Sequence, residues 1–276
     1  MGLDHSAALL KTPAADVRGA TISLQNVSKR YATLRGDPVL ALDKVSLDIG
    51  AGEFVSIVGP SGCGKSTLMT LIAGLVSKTS GRILVDGLDV QGPIRGAGVV
   101  FQKDVLMEWR NVLRNVLLPV EVRGLEKASH LAKAQDLLRS VGLSGFEERY
   151  PAELSGGMRQ RVSICRALVQ NPALLLMDEP FGALDALTRE QMATDLQKMW
   201  MRERSTVVFI THSIEEAVLL SDRVVVMSSR PGQIADILEI DMPRPRGAEA
   251  RKDPRFVASV DAIRRHFMAL GILSES

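Results

Sequence analysis

The stretch GPSGCGKST, Gly59 to Thr67, constrains this chain more than any other. Gly59, Gly64, Lys65 and Ser66 satisfy the spacing G-x-x-x-x-G-K-[ST], in which glycines let backbone N–H groups converge on phosphate oxygens. In that pattern Lys65 reaches the β/γ-phosphates and Ser66 ligates Mg²⁺. The flanks agree. EFVSIVG is a compact apolar run that stops at glycine, and Leu68, Leu71, Ile72 and Leu75 recur at helical spacing. A strand that turns through such a loop into a helix aims the helix's positive end at the same anion, so a bare glycine turn is the poorer reading.

The rest of the chain reads as alternating strands and helices. TISLQNV and VLALDKVSLDI alternate as half-buried strands. From Asp104 to Pro151, Leu117, Val120, Leu131, Ala134, Leu137, Leu138 and Val141 recur at helical spacings with no strand among them, which predicts an inserted helical subdomain. Then follow a buried-type strand ALLLM, an amphipathic helix over about 188–202, the strand TVVFIT, a short helix through SIEEAVLL and the strand RVVVMS. An extended segment leads to a terminal helix over 253–270 with Phe256, Val260, Ile263, Phe267 and Leu270 on one side. This order implies a parallel α/β sheet. Structure is expected to begin at Thr21, after an Ala-rich tail.

Composition excludes more than it selects. With 46% apolar residues the chain can bury a sizeable core, and Lys+Arg 34 against Asp+Glu 32 leaves only +2, which argues against a dedicated nucleic-acid binder. No apolar run is long enough to cross a bilayer, so the expectation is a cytoplasmic protein. Cys63 and Cys165 belong to no metal-type cluster and read as packing. His5, His130 and His266 fall outside any motif.

Two further stretches carry chemistry. ALLLMDEP delivers Asp178 and Glu179 at the end of an apolar strand, where α/β sheets place ligands. Beside a phosphate loop, the first carboxylate suits Mg²⁺ and the second suits polarising an attacking water. In LSGGMRQR, Ser155 is an N-cap type residue before a helix that starts near Gly156 or Gly157, so its hydroxyl and the following N–H groups form a second anion site.

In order along the chain, GPSGCGKST, Gln102 in VVFQ, LSGGMRQR, LLLMDEP, ALD at Ala183–Asp185 and His212 in FITHS resemble an ATP-binding cassette (ABC) ATPase over about residues 21–229. The resemblance implies a P-loop NTPase (RecA-like) α/β core with an antiparallel β subdomain and an inserted α-helical subdomain. It divides the chain into a tail at 1–20, an ATPase domain at 21–230 with the helical subdomain at about 104–158, and a C-terminal extension at 231–276. ATP would lie on Gly59, Pro60, Ser61, Gly62, Cys63, Gly64, Lys65, Ser66 and Thr67, with Tyr31 stacked on adenine. Ser66, Gln102 and Asp178 would surround Mg²⁺. Glu179 would be the general base, Gln102 a sensor near the water, and His212 a contact for the γ-phosphate. Ser155, Gly156 and Gly157 would close on the ATP held by a second copy, giving a head-to-tail homodimer.

The sequence departs from that family's pattern at Met158 (often Gln), Ser213 (often Asp), and Met107 and Glu108 (often Leu-Pro), without removing a catalytic group. The last two lie on the surface expected to meet a membrane partner. GPIRGAGVVFQ, EWRNVLRNV, DEPFGALDALTR and RPGQI…IDMPRPR resemble the nitrate, sulfonate and taurine group of bacterial importers. That resemblance implies an integral-membrane permease as partner, a substrate-binding protein acting indirectly, no nucleic acid, and a place on the inner face of the cell membrane. Sulfonates or taurine are the favoured cargo, with nitrate, bicarbonate and pyrimidine precursors open. The alternative is a soluble ABC-type ATPase acting on nucleic acid or ribosomes. That class brings a long heptad insertion or a duplicated cassette, and neither is found in this sequence.

Overall fold

The computed structural model describes residues 19–33 and 36–272. Most of the expected tail, with His5, lies outside the described residues. The packed chain starts slightly before Thr21: Ala20 is buried, its N–H donates to Ala173 O at 3.1 Å, and its carbonyl accepts from the Thr206 hydroxyl at 2.5 Å.

Strands β1 (Ile22–Tyr31) and β2 (Val39–Ile49) form an antiparallel pair, extended by β4 (Ser80–Val85) and β5 (Leu88–Asp89) into a sheet of order β2-β1-β4-β5. The second sheet has order β10-β9-β3-β8-β7-β6. Its members are β3 (Phe54–Val58), β6 (Gly98–Val100), β7 (Leu174–Asp178), β8 (Thr206–Ile210), β9 (Arg223–Met227) and β10 (Ile234–Glu239), all parallel except β10. The helices are α1 (Lys65–Ile72), α2 (Val112–Val116), α3 (Leu118–Val122), α4 (Lys127–Ser140), α5 (Gly156–Leu168), α6 (Ala186–Glu203), α7 (Ile214–Leu220) and α8 (Pro254–Ala269).

Strands β3, β7 and β8 are buried along their whole length, as parallel strands covered on both faces must be. Their alternation sorts the core. Phe54, Val58, Leu175, Met177, Val207, Phe209, Val224 and Val226 face α5 to α8 and the helical insertion. Val55, Ile57, Leu174, Leu176, Val208, Ile210, Val225 and Met227 face α1 and the antiparallel sheet, whose Ile22, Leu24, Leu42, Val45 and Leu47 close that layer.

Three strands escaped the sequence pattern for physical reasons. In β4 only Ile83 is buried, so it shows no apolar alternation; β5 and β6 are too short to display a period. Of the predicted helical stripe, Leu131 is exposed while the other six positions are buried. Leu270 also leaves its predicted stripe, because it caps the end of α8 and is 37% exposed.

The C-terminal segment is woven into the core. β10 pairs with β9, and Phe256, Val260, Ile263 and Phe267 of α8 join the helical-side core. Between them Arg246 is buried, donating to the carbonyls of Val218, Ser221, Ile240 and Met242 at 2.7–3.3 Å. Burial, reinforced by the neighbouring Arg244 charge, pushes its guanidinium down to about 10. Arg244 lies over the Trp200 ring, 4.3 Å from its centroid, and pairs with Asp222 at 2.7 Å.

Candidate functional site

The carboxyl ends of neighbouring parallel strands converge on one edge of the large sheet, and each contributes a site segment. β3 leads into the glycine loop, β7 ends at Asp178 before Glu179, β8 is followed by Thr211 and His212, and β6 stops just before Gln102. A parallel sheet thereby gathers residues that lie far apart in sequence.

The loop itself is shaped by space. A Cβ on Gly59 would meet Cys63 Sγ and Met227 O, each at 3.0 Å. Gly64, at φ +105°, is the N-cap of α1 and offers no side-chain cap, so the first N–H groups of that helix remain for an anion. Lys65 is buried and curls over the loop, its Nζ donating to Gly59 O at 2.9 Å and Pro60 O at 3.0 Å. Burial pushes the Cys63 thiol up, against the pull of Lys65, and pushes the fully buried Cys165 up to about 12. Both thiols stay protonated at neutral pH, in line with a packing role.

Opposite the loop, Glu179 holds a left-handed backbone, φ +45°, uncommon for a side-chain-bearing residue, with its N–H anchored on Ile210 O at 2.9 Å. Its Oε2 accepts from Gln102 Nε2 at 3.1 Å and lies 3.5 Å from His212 Nδ1. Three residues predicted from separate motifs therefore meet at one carboxylate. Asp178 sits beside them, largely buried; burial raises its carboxyl above the ordinary range and the adjacent Glu179 adds to this, while a Ser66 hydrogen bond and Lys65 draw it back.

The cleft between these groups has a volume of about 410 Å³. Tyr31, Val39 and Ala41 line one part; Ser61, Gly62, Gly64, Lys65, Ser66, Thr67, Gln102 and Glu179 line the rest. Gly59, Pro60 and Cys63 build the loop from behind. Arg230, which no sequence motif signalled, also lines the cleft and donates to Gly62 O at 3.1 and 3.2 Å. It stands in the turn between β9 and β10, distant in sequence from the loop it touches.

Ser155, Gly156 and Gly157 do not line this cleft. They form the N-terminus of α5, where Ser155 Oγ accepts from Met158 N at 3.2 Å. The first turns of α5 are tied to the residues on both sides of Gln102, by an Arg159–Asp104 ion pair at 2.9 Å and by Gln160 Nε2 donating to Phe101 O at 3.3 Å.

Known proteins with related sequences agree with this geometry. The family model described as ABC transporter matches residues 42–182. An uncharacterized ABC transporter ATP-binding protein of Methanocaldococcus jannaschii is 49% identical over 225 residues, 82% of this chain and 84% of that protein. A taurine import ATP-binding protein of Burkholderia pseudomallei is 49% identical over 242 residues, covering 86% of this chain and 93% of its own length. Another taurine import ATP-binding protein, from Rhizobium johnstonii, is 50% identical over 223 residues, 81% and 85% of the two chains. Among solved structures, a dimeric ATP-binding cassette in a post-hydrolysis state with ADP and Pi superposes with a TM-score of 0.73 at 33% identity, over 80% of this chain and all of that one. The expected α/β P-loop NTPase fold, with its antiparallel sheet and helical insertion, is thus borne out, and this chain belongs to the ABC transporter family as one of its ATP-binding, ATP-hydrolysing cassettes.

Proposed function

We propose that the chain is the ATPase subunit of an importer for a small sulfonate of the taurine kind, acting as a head-to-tail pair of copies beneath a separate membrane permease. The observation that carries the pairing is the split of the phosphate-binding elements: the Lys65 loop lines a cleft, whereas Ser155, Gly156 and Gly157 stand outside it at an exposed helix start. A second copy supplies what each cleft lacks. The solved relative described as dimeric supports this reading.

Within one cleft, ATP rests its base on Tyr31 and its phosphates on residues 59–67, where Lys65 neutralises charge that grows in the transition state. Glu179 orients the attacking water and receives its proton; Gln102, bonded to Glu179, senses the occupied state, and His212 contacts the γ-phosphate. The donors beside the loop fit Mg²⁺, a hard cation that takes oxygen ligands and keeps phosphates and waters among them: the Ser66 hydroxyl, the Asp178 carboxylate and the Gln102 carbonyl oxygen. Among the described residues no group of three or more His, Cys, Asp or Glu side chains is placed to hold a metal ion by itself. When bound, it would neutralise the β- and γ-phosphate oxygens.

A permease contact is supported by an apolar cleft of about 350 Å³ lined by Val99, Phe101, Val105, Met107, Leu118 and Val122 among others. Trp109, two residues after Met107, is 75% exposed, on a turn held by Asn115, which donates to Met107 O and Arg110 O. No helix among the described residues is long and apolar enough to cross a membrane. We place residues 21–230 in the ATPase unit, with 231–276 as its C-terminal extension and a substrate-binding protein acting through the permease on the outer side. Two of the relatives are taurine import proteins by name, which favours uptake over action on nucleic acid or ribosomes.

The test is co-expression with the permease and binding protein of the same operon. Co-purification, and ATPase activity in proteoliposomes that rises with taurine-loaded binding protein, are the expected results. ATPase activity stimulated by DNA or ribosomes alone would overturn the importer reading.

A further inference from the structure

Behind His212 lies a carboxylate that no motif singled out. Glu216, in the first turn of α7, is only 13% exposed, and its Oε2 accepts a 2.6 Å hydrogen bond from the Thr211 hydroxyl. The same hydroxyl oxygen accepts from the Ser213 N–H at 3.0 Å, so one group grips the chain on both sides of His212. On its other side, Glu216 Oε1 faces Arg189 Nε at 3.6 Å, and the Arg189 Nη2 donates to Leu184 O at 3.2 Å. Leu184 belongs to the ALD turn that follows Glu179.

Helix capping does not account for this carboxylate. Ser213 already caps α7 by accepting from the Glu216 N–H at 3.3 Å. Burial pushes the Glu216 carboxyl above the ordinary glutamate range; the Thr211 hydrogen bond and the charges of Arg189 and His212 oppose this, and Glu179 adds to it. A carboxylate that is costly to bury is thus retained where it ties two loops of the catalytic edge together. The two ties differ in strength: a short hydrogen bond toward His212, and toward Arg189 an ion pair whose Nε makes no hydrogen bond.

We propose that Glu216 is a positioning residue for ATP hydrolysis: through Thr211 it holds the turn that sets His212 beside Glu179, and through Arg189 it links that turn to the Leu184 loop. The inference rests on the reading above in which His212 acts on the γ-phosphate.

The experiment is a double-mutant cycle on the full chain, with kcat and KM for ATP measured for Glu216→Gln, Thr211→Val, His212→Ala and the pairs with His212→Ala. Glu216→Gln keeps the shape and an acceptor but loses the charge; Thr211→Val removes only the hydroxyl and keeps the test open if the first variant fails to fold. Each is expected to lower kcat about tenfold, the size of one charge-assisted hydrogen bond, with KM changed less than about twofold. In the His212→Ala background each should add less than about a twofold loss, because the effect passes through His212. Losses that multiply with that of His212→Ala, or a lowered melting temperature with kcat intact, would overturn the positioning role alone. Wild-type kcat in His212→Ala itself would remove the His212 reading, and this inference with it.

Discussion

Changing Ser155 separates its helix cap from the phosphate contact proposed for the same hydroxyl. In the structure its Oγ accepts the Met158 N–H at 3.2 Å and so caps α5, and it stands outside the cleft that holds Lys65. Ser155→Ala removes the cap, worth about 1 kcal/mol, which for a chain of this size lowers the melting temperature by about 2–4 °C. In the proposed pair it also removes one donor aimed at the partner's γ-phosphate, and loss of such a donor slows turnover by about a hundredfold. Ser155→Asp keeps an excellent cap and favours the helix dipole, so its melting temperature should match or exceed wild type. A carboxylate about 4 Å from a phosphate charge costs about 4 kcal/mol at an effective dielectric near 20, a loss of about a thousandfold in turnover. The assays are phosphate release for turnover, nucleotide titration of dilute chain for ATP affinity, and thermal melting. ATP affinity of the single chain should stay within about twofold for both variants. Wild-type turnover in Ser155→Asp would refute the reasoning. So would a tenfold loss of single-chain ATP affinity in either variant, since Ser155 would then serve its own cleft.

Other perturbations probe separate parts of the molecule. Glu179→Gln should retain ATP binding, lose most turnover and elute as a closed dimer with ATP and Mg²⁺ in size-exclusion chromatography; a strict monomer at high concentration would contradict the paired arrangement. Arg230→Ala should weaken ATP binding by about tenfold, the size of one charge-assisted contact, with a smaller effect on kcat, as read by nucleotide titration. Arg246→Leu removes the guanidinium donor from four buried carbonyls, of which Ile240 O keeps the Met242 N–H, so a loss of about 3 kcal/mol, or about 6–12 °C by thermal melting, is expected; a change under about 2 °C would argue that the C-terminal segment adds little to the core. Glu216 titrates higher in the folded chain than unfolded, with Arg189, His212 and Glu179 facing it, so the stability it contributes is present below about pH 4.3 and is lost as pH rises through its folded value. Wild type should therefore lose stability relative to Glu216→Gln as pH climbs from about 4, and a gap that moves the other way in denaturant titrations would refute that sign.

What the sequence determined by itself was the chemistry written in short local patterns. A glycine loop between a strand and a helix, a carboxylate pair ending an apolar strand and a capped Ser-Gly-Gly helix start each have a spacing set by backbone geometry, so they were legible residue by residue. The meeting of Gln102, Glu179 and His212 at one carboxylate was expected only by resemblance to ABC ATPases, since their distances depend on the order β3-β8-β7-β6 in the sheet. Arg230 and Glu216 were invisible for the same reason: each touches a segment distant in sequence, Gly62 in one case and Arg189 in the other, and neither contact has a local signature. Strands β4 and β6 escaped because one-sided burial or brevity erases the period by which strands are found. Tertiary structure also decided the fate of the C-terminal segment. Its sequence showed an extended stretch and an amphipathic helix, but only antiparallel pairing with β9 and the burial of Arg246 among four carbonyls make it part of the core, because hydrogen-bond satisfaction is a property of the whole fold.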